Sequence, residues 1–113
     1  MGKYQRTKGH NFERLIAKTL RGIGIDARRG RQDYSGTAEP DVVILDKVIE
    51  YELEPWIECK VGKSPRLWAA MDQATEACGD REPIVIAHKD NGRTVAVMDI
   101  TLFLALLIKM SRG

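Results

Sequence analysis

The chain has 113 residues, enough for one hydrophobic core but not two, so 1–113 reads as a single domain. A composition 43% hydrophobic and 30% charged is ordinary for a globular protein and argues against disorder. The net charge of +2 conceals a split: residues 1–31 carry nine Lys/Arg against Glu13 and Asp26, and residues 32–113 carry nine against fourteen acids. That division suits a basic surface for an acidic polymer beside an acidic, cation-holding region; a solvated basic helix and tail is the plainer reading.

A first helix is expected over about 7–23, with Phe12, Leu15, Ile16, Thr19, Leu20 and Ile23 as one apolar stripe and Gly22 and Gly24 at its end. Glu13 falls on the flank of that stripe, about 100° around the helix from Phe12. Residues 26–39 read as a long, polar, basic loop with Arg28, Arg29, Arg31 and Ser35. A continuously apolar strand follows at 42–45, then an alternating one at 49–53 with one wet face, and a third at 56–61 after an interruption at Pro55.

Ser64-Pro65 is expected to cap and open a second helix, reaching about Cys78, with Leu67, Ala70, Met71, Ala74 and Cys78 on its buried face. An apolar strand at 84–87, a hairpin turn at Asp90-Asn91-Gly92 and a strand at 94–98 complete the sheet. Asp99 then caps a last helix over about 100–110, apolar nearly all round and hence expected at a subunit interface. The fold class is α/β, a central mixed sheet flanked by helices in the order α-β-β-β-α-β-β-α. No signal-peptide pattern opens the chain, and the apolar run 100–108 falls short of the roughly 20 residues a membrane span needs. Cys59 and Cys78, without metal-ligand spacing, read as reduced and buried in a cytoplasmic protein.

Two strands carry charge where a buried strand should carry none. Alternation puts Glu58 and Lys60 on one face of the third strand, with Ile57, Cys59 and Val61 on the other. If Asp41 lies on the adjacent strand, its carboxylate comes within roughly 5 Å of Glu58, a cross-strand distance. Two such charges repel by about 3 kcal/mol at an effective dielectric of about 20. A hard divalent cation relieves that repulsion, and Mg²⁺, with Mn²⁺ as substitute, is the ion carboxylates hold beside phosphates. Lys60 can then stabilise phosphate charge or help place an attacking water. The plainer alternatives are a strand-start cap for Asp41 and an edge-strand ion pair for Glu58 and Lys60.

Gly9-x-x-x-Glu13-Arg14, Leu20-Arg21-Gly22-x-Gly24, Pro40-Asp41-Val42 and Ile57-Glu58-Cys59-Lys60 resemble the archaeal-type Holliday-junction resolvases of the PD-(D/E)xK nuclease superfamily. The resemblance spans about residues 6–62 and implies a restriction-endonuclease-like core. It also implies Glu13, Asp41 and Glu58 as metal ligands, Lys60 as the catalytic lysine, Ser35 as a catalytic-loop serine, and a homodimer acting on four-way junctions. Gln73 matches a glutamine that many superfamily members carry near the site. The chain departs from the pattern in an insertion-like hairpin at 47–55 and in its apolar last helix. Lys8, His10, Arg28, Arg29, Arg31 and Lys63 are the expected DNA-contacting residues, touching phosphates rather than bases. The function expected is a Mg²⁺-dependent, structure-selective DNA endonuclease. The alternatives are a small nicking or repair nuclease, and a non-catalytic nucleic-acid-binding subunit on the same fold.

Overall fold

The computed structural model describes residues 3–31, 38–46 and 54–112. Eight elements follow one another: α1 (Lys3–Gly22), β1 (Ala27–Arg29), β2 (Val42–Ile44), β3 (Pro55–Gly62), α2 (Leu67–Ala77), β4 (Glu82–Lys89), β5 (Thr94–Met98) and α3 (Ile100–Arg112). The strands form one mixed sheet in the order β1-β2-β3-β4-β5. Neighbours pair antiparallel except β3 and β4, which run parallel from Pro55↔Glu82 to Gly62↔Lys89. A parallel pair needs a crossover, and α2 supplies it.

The sheet divides the core in two. On one face α1 packs over β1, β2 and β3, joining Phe12, Ile16 and Ala17 to Ala27, Val42, Ile57 and Cys59. On the other, α2 brings Ala70, Ala74 and Cys78 against Trp56, Val85 and Ala87. Successive β3 residues therefore feed opposite cores, which is why Ile57 and Cys59 are buried beside α1 and Trp56 beside α2. Both cysteines are free and buried. Lys8 Nζ meets the Asp90 carboxylate at 2.7 Å, tying α1 to the β4–β5 turn. In that turn Asn91 adopts φ 58°, as the Asp-Asn-Gly signal predicts.

Several boundaries differ from the sequence reading. Residues 27–29 form a strand inside the expected basic loop: Ala27 is small and buried, and both arginines pair with β2 through Arg28↔Val43 and Arg29↔Val42. Gly30 continues this contact, its amide donating to the Asp41 carbonyl at 2.8 Å. A Cβ on Gly30 would lie 1.8 Å from the Pro40 carbonyl oxygen, so only glycine fits. Helix α1 starts earlier than expected, since Lys3 to Arg6 contain good helix formers and no breaker. Its buried stripe is Phe12, Glu13, Ile16 and Ala17, while Leu15, Thr19 and Ile23 are exposed. The stripe is rotated toward Glu13, whose burial is made tolerable by an arginine described below.

Helix α2 starts at Leu67 rather than at Ser64-Pro65. A residue before proline is driven out of the helical region, and Arg66, at φ −85° and ψ 92°, is extended with no side-chain cap. Leu67 is partly exposed, not part of the buried face. Gly79, at φ 58°, stops the helix as expected. Pro55 opens β3 instead of interrupting it, a position where the missing N–H costs no ladder bond. The strand expected at 49–53 and the hairpin at 47–55 lie largely outside the described residues. Among the described residues, no helix is long and apolar enough to cross a membrane.

Candidate functional site

The site is built where β2 and β3 part. Their one registered pair is Val42↔Ile57, and extending that register by a residue sets Asp41 opposite Glu58. The Asp41 side chain replaces the backbone ladder there: its Oδ2 accepts the Cys59 N–H at 2.8 Å. Asp41 is thus the strand-start cap of the plainer reading and, on the same face as Glu58, the neighbour required by the other.

Glu58 is buried on the α2 side of the sheet and accepts the Trp56 indole Nε1–H at 2.8 Å. Its carboxyl is pushed up to about 7, chiefly because burial strips hydration from the charged form. The Trp56 hydrogen bond opposes this rise, Asp41 adds to it by charge and by a side-chain hydrogen bond, and the Lys60 ammonium pulls the other way. Lys60, two residues on and on the same face, donates to Gln73 Oε1 of α2 at 3.3 Å. Two adjacent acids, one of them half-protonated near neutral pH, an ammonium and an amide therefore share one wall. The Cys59 thiol, on the opposite face, is raised by burial first and then by the charges of Asp41, Glu13 and Glu58, which makes it inert as a nucleophile.

Glu13 lies on α1, over the face that carries Ile57 and Cys59, and its Oε1 accepts the Arg29 Nε–H at 2.7 Å. The structure thus brings Asp41, Glu58, Lys60 and Gln73 together and pairs Glu13 with Arg29, while the charges of Glu13, Asp41 and Glu58 all act on the Cys59 thiol. Among the described residues, no three His, Cys, Asp or Glu side chains form a group that could hold a metal ion. The Asp41–Glu58 pair fits a divalent cation on chemical grounds, since adjacent carboxylates need either a shared proton or a shared cation.

The basic residues fall into two sets. Arg28 grips Glu39 through both terminal nitrogens, at 3.0 and 2.7 Å, and Glu39 also accepts the Arg31 amide at 2.8 Å. These bonds hold the Glu39 carboxyl down at about 2, the Arg28 hydrogen bond being the largest cause, and clamp together the two ends of the 31–39 segment. Lys8 and Arg29 are also in ion pairs, whereas Arg31 and Lys63 are exposed and His10 is half-buried. His88 is held within the fold, its Nδ1 lying 2.9 Å from Thr94 Oγ1 and its ring 5.9 Å from that of Phe12. Ser35 lies outside the described residues.

Sequence reasoning missed Trp56 and Glu39. The signal for Trp56 was available, because two residues separate it from Glu58 and strand alternation puts both on one face. No family model matches the chain, and no curated protein matches it in sequence.

Proposed function

We propose that this chain is a divalent-cation-dependent DNA endonuclease of the PD-(D/E)xK type, on a restriction-endonuclease-like core, with four-way junctions as its favoured substrate and the cytoplasm of a cell, at its nucleoid, or of a virus-infected cell as its place. One observation carries the reading: Asp41 and Glu58, seventeen residues apart in sequence, stand together on the wall that also bears Lys60. Asp41 and Glu58 would hold Mg²⁺ or Mn²⁺, and the bound ion supplies Lewis acidity and charge neutralisation for phosphodiester hydrolysis. Lys60 faces the same space and stabilises negative charge on the phosphate, while Gln73 orients its ammonium. The Trp56 indole N–H holds the Glu58 carboxylate in place. Arg31 and Lys63 are the exposed cations best able to meet backbone phosphates.

The test is cleavage of an end-labelled four-way junction, with linear duplex of the same sequence as control, in Mg²⁺, Ca²⁺ or EDTA. Paired symmetric nicks in the junction, in Mg²⁺ alone, are expected. Asp41→Asn keeps an acceptor for the Cys59 amide, so it should fold normally, bind the junction and cut nothing; Glu58→Ala and Lys60→Ala should also bind without cutting. Full activity in any of these variants removes that residue from the mechanism, and equal cutting of linear duplex replaces the junction reading with a general nicking or repair nuclease.

The Glu13–Arg29 pair favours a second reading. With its third acid engaged by an arginine, the chain would serve as a non-catalytic nucleic-acid-binding subunit. Calorimetric titration separates the two: no heat from Mg²⁺ or Mn²⁺, alone or with DNA, supports the second.

A further inference from the structure

Two exposed segments meet at the end of the sheet where β3 and β4 finish. The Asp90 N–H donates to the Gly62 carbonyl at 2.8 Å, so the β4–β5 turn lies against the connection from β3 to α2. The Asp90 carboxylate is neutralised by Lys8. This end carries Lys63 and Arg66 on the connection, with Lys89 and Arg93 at the turn. All four are exposed, and among the described residues none of them is in an ion pair. Lys63 and Arg66 stand at the start of α2, where the helix dipole disfavours cations, so they do nothing for the helix itself. In the β3–β4 register Lys60 faces Ala87 and Gly62 faces Lys89. Lys89 therefore shares the sheet face of Lys60, with Cα atoms about 8 Å apart at about 3.3 Å per residue and about 4.8 Å between strands. In the first turn of α2, two residues beyond Arg66, Trp68 is 86% exposed.

We propose that this end of the molecule grips a single-stranded segment of DNA, with Lys63, Arg66, Lys89 and Arg93 on its phosphates and Trp68 stacked on an unpaired base. The four cations fit any polyanion, and Trp68 narrows the choice. An indole open to water on its flat face wants a flat apolar partner, and a nucleobase arrives already tethered to phosphates. Bases inside a duplex are stacked on one another and offer no face, so the partner is single-stranded. An anionic membrane is the poorer fit. Asp72 and Glu76 follow Trp68 at i+4 and i+8 on the same exposed side of α2, where a lipid-bound helix is apolar or basic. The cations lead on to Lys60 through Lys89, so the strand held here is continuous with the phosphate offered to the Asp41–Glu58 wall. Branched DNA, whose nucleotides leave the stack at the branch, is the substrate such a grip selects. The inference rests on the nucleic-acid reading of the chain and holds whether or not that wall is catalytic.

The test is fluorescence anisotropy of an end-labelled single strand, and of the same strand annealed to its complement, in EDTA so that nothing is cut. Trp68→Ala should weaken single-strand binding about tenfold, the worth of one stacked base, and leave duplex binding unchanged. Trp68→Phe should recover part of the loss. Lys89→Ala combined with Arg93→Ala should weaken both ligands and lower the single-strand salt slope by about 1.4, at about 0.7 per phosphate contact. Lys18→Ala, exposed on α1, should change neither. The replaced side chains are all exposed, so circular dichroism should match the parent. A second measurement needs no loss of binding: the single strand should quench tryptophan emission in the parent and not in Trp68→Phe. Unchanged single-strand affinity in Trp68→Ala overturns the proposal, as does an unaltered salt slope in the double variant. Attachment to anionic vesicles without DNA binding assigns the patch to lipid and equally overturns it. Junction cutting by a chain whose Trp68→Ala variant binds single strands as the parent does strikes this surface and leaves the nuclease reading. The expected affinities without cutting do the reverse.

Discussion

Replacing Glu58 with glutamine should make the protein more stable above neutral pH. The glutamine oxygen still accepts the Trp56 indole N–H, and its amide N–H can donate to the Asp41 carboxylate, so the geometry is kept while the charge is lost. The folded protein holds the Glu58 carboxyl at about 7, against 4.5 for the ordinary group. Because the folded value is the higher, Glu58 costs nothing below about pH 4.5, destabilises progressively from there to about 7, and exerts its full penalty above. At about 1.4 kcal/mol per pH unit the ceiling is about 3 kcal/mol, and solvent screening at the open edge of the site reduces this to about 1–2 kcal/mol. Urea unfolding of both chains at pH 4.5, 6 and 8, in EDTA, measures it. Glu58→Gln should match the parent at pH 4.5 and exceed it by about 1–2 kcal/mol at pH 8. Difference curves that stay flat across this window, or a variant weaker at pH 8, would refute the buried carboxylate pair.

Arg29→Ala leaves the Glu13 carboxylate buried without its partner and should cost about 2–3 kcal/mol; the double change with Glu13→Ala should recover part of this, and a double-mutant cycle by urea unfolding reads the coupling. Gly30→Ala drives a methyl into the Pro40 carbonyl; thermal unfolding should show a loss of about 3 kcal/mol or more. Glu39 has the opposite sign to Glu58: its carboxyl, ordinarily at 4.5, is held at about 2, so its stabilisation is present above about pH 4.5 and is lost as pH falls toward 2. Glu39→Gln should flatten that acid limb by less than about 1 kcal/mol, as checked by parallel acid titrations of the folded fraction.

The central strand pair was readable from the chain because its code is local. Glu58 and Lys60 share a face by strand alternation alone, and the apolar runs around Asp41 and Glu58 mark both strands without ambiguity. The last three elements were equally plain, since Asn91-Gly92 and Asp99 are strong punctuation. Strand β1 was hidden because three residues, two of them arginines, carry no periodic signal; its order comes from pairing with β2. Missing it concealed what Glu13 does, because Arg29 reaches that carboxylate only when β1 lies under α1. A buried acid on an amphipathic helix gave no sequence sign that a cation sixteen residues away would pair with it. The start of α2 was misread because a serine–proline pair signals a cap but also enforces extended backbone, and here the second effect prevails.

The Trp56–Glu58 hydrogen bond gives the protein an optical probe of its own. Of its two tryptophans, Trp56 is buried with its indole nitrogen on the candidate site, whereas Trp68 is 86% exposed on the outer side of α2. Replacing Trp68 with phenylalanine would leave a single tryptophan, excited apart from the three tyrosines at the red edge of its absorption, whose emission responds to the state of one carboxylate. Loss of a proton from Glu58, or a charged ligand placed beside it, would then be visible by fluorescence in the unlabelled protein.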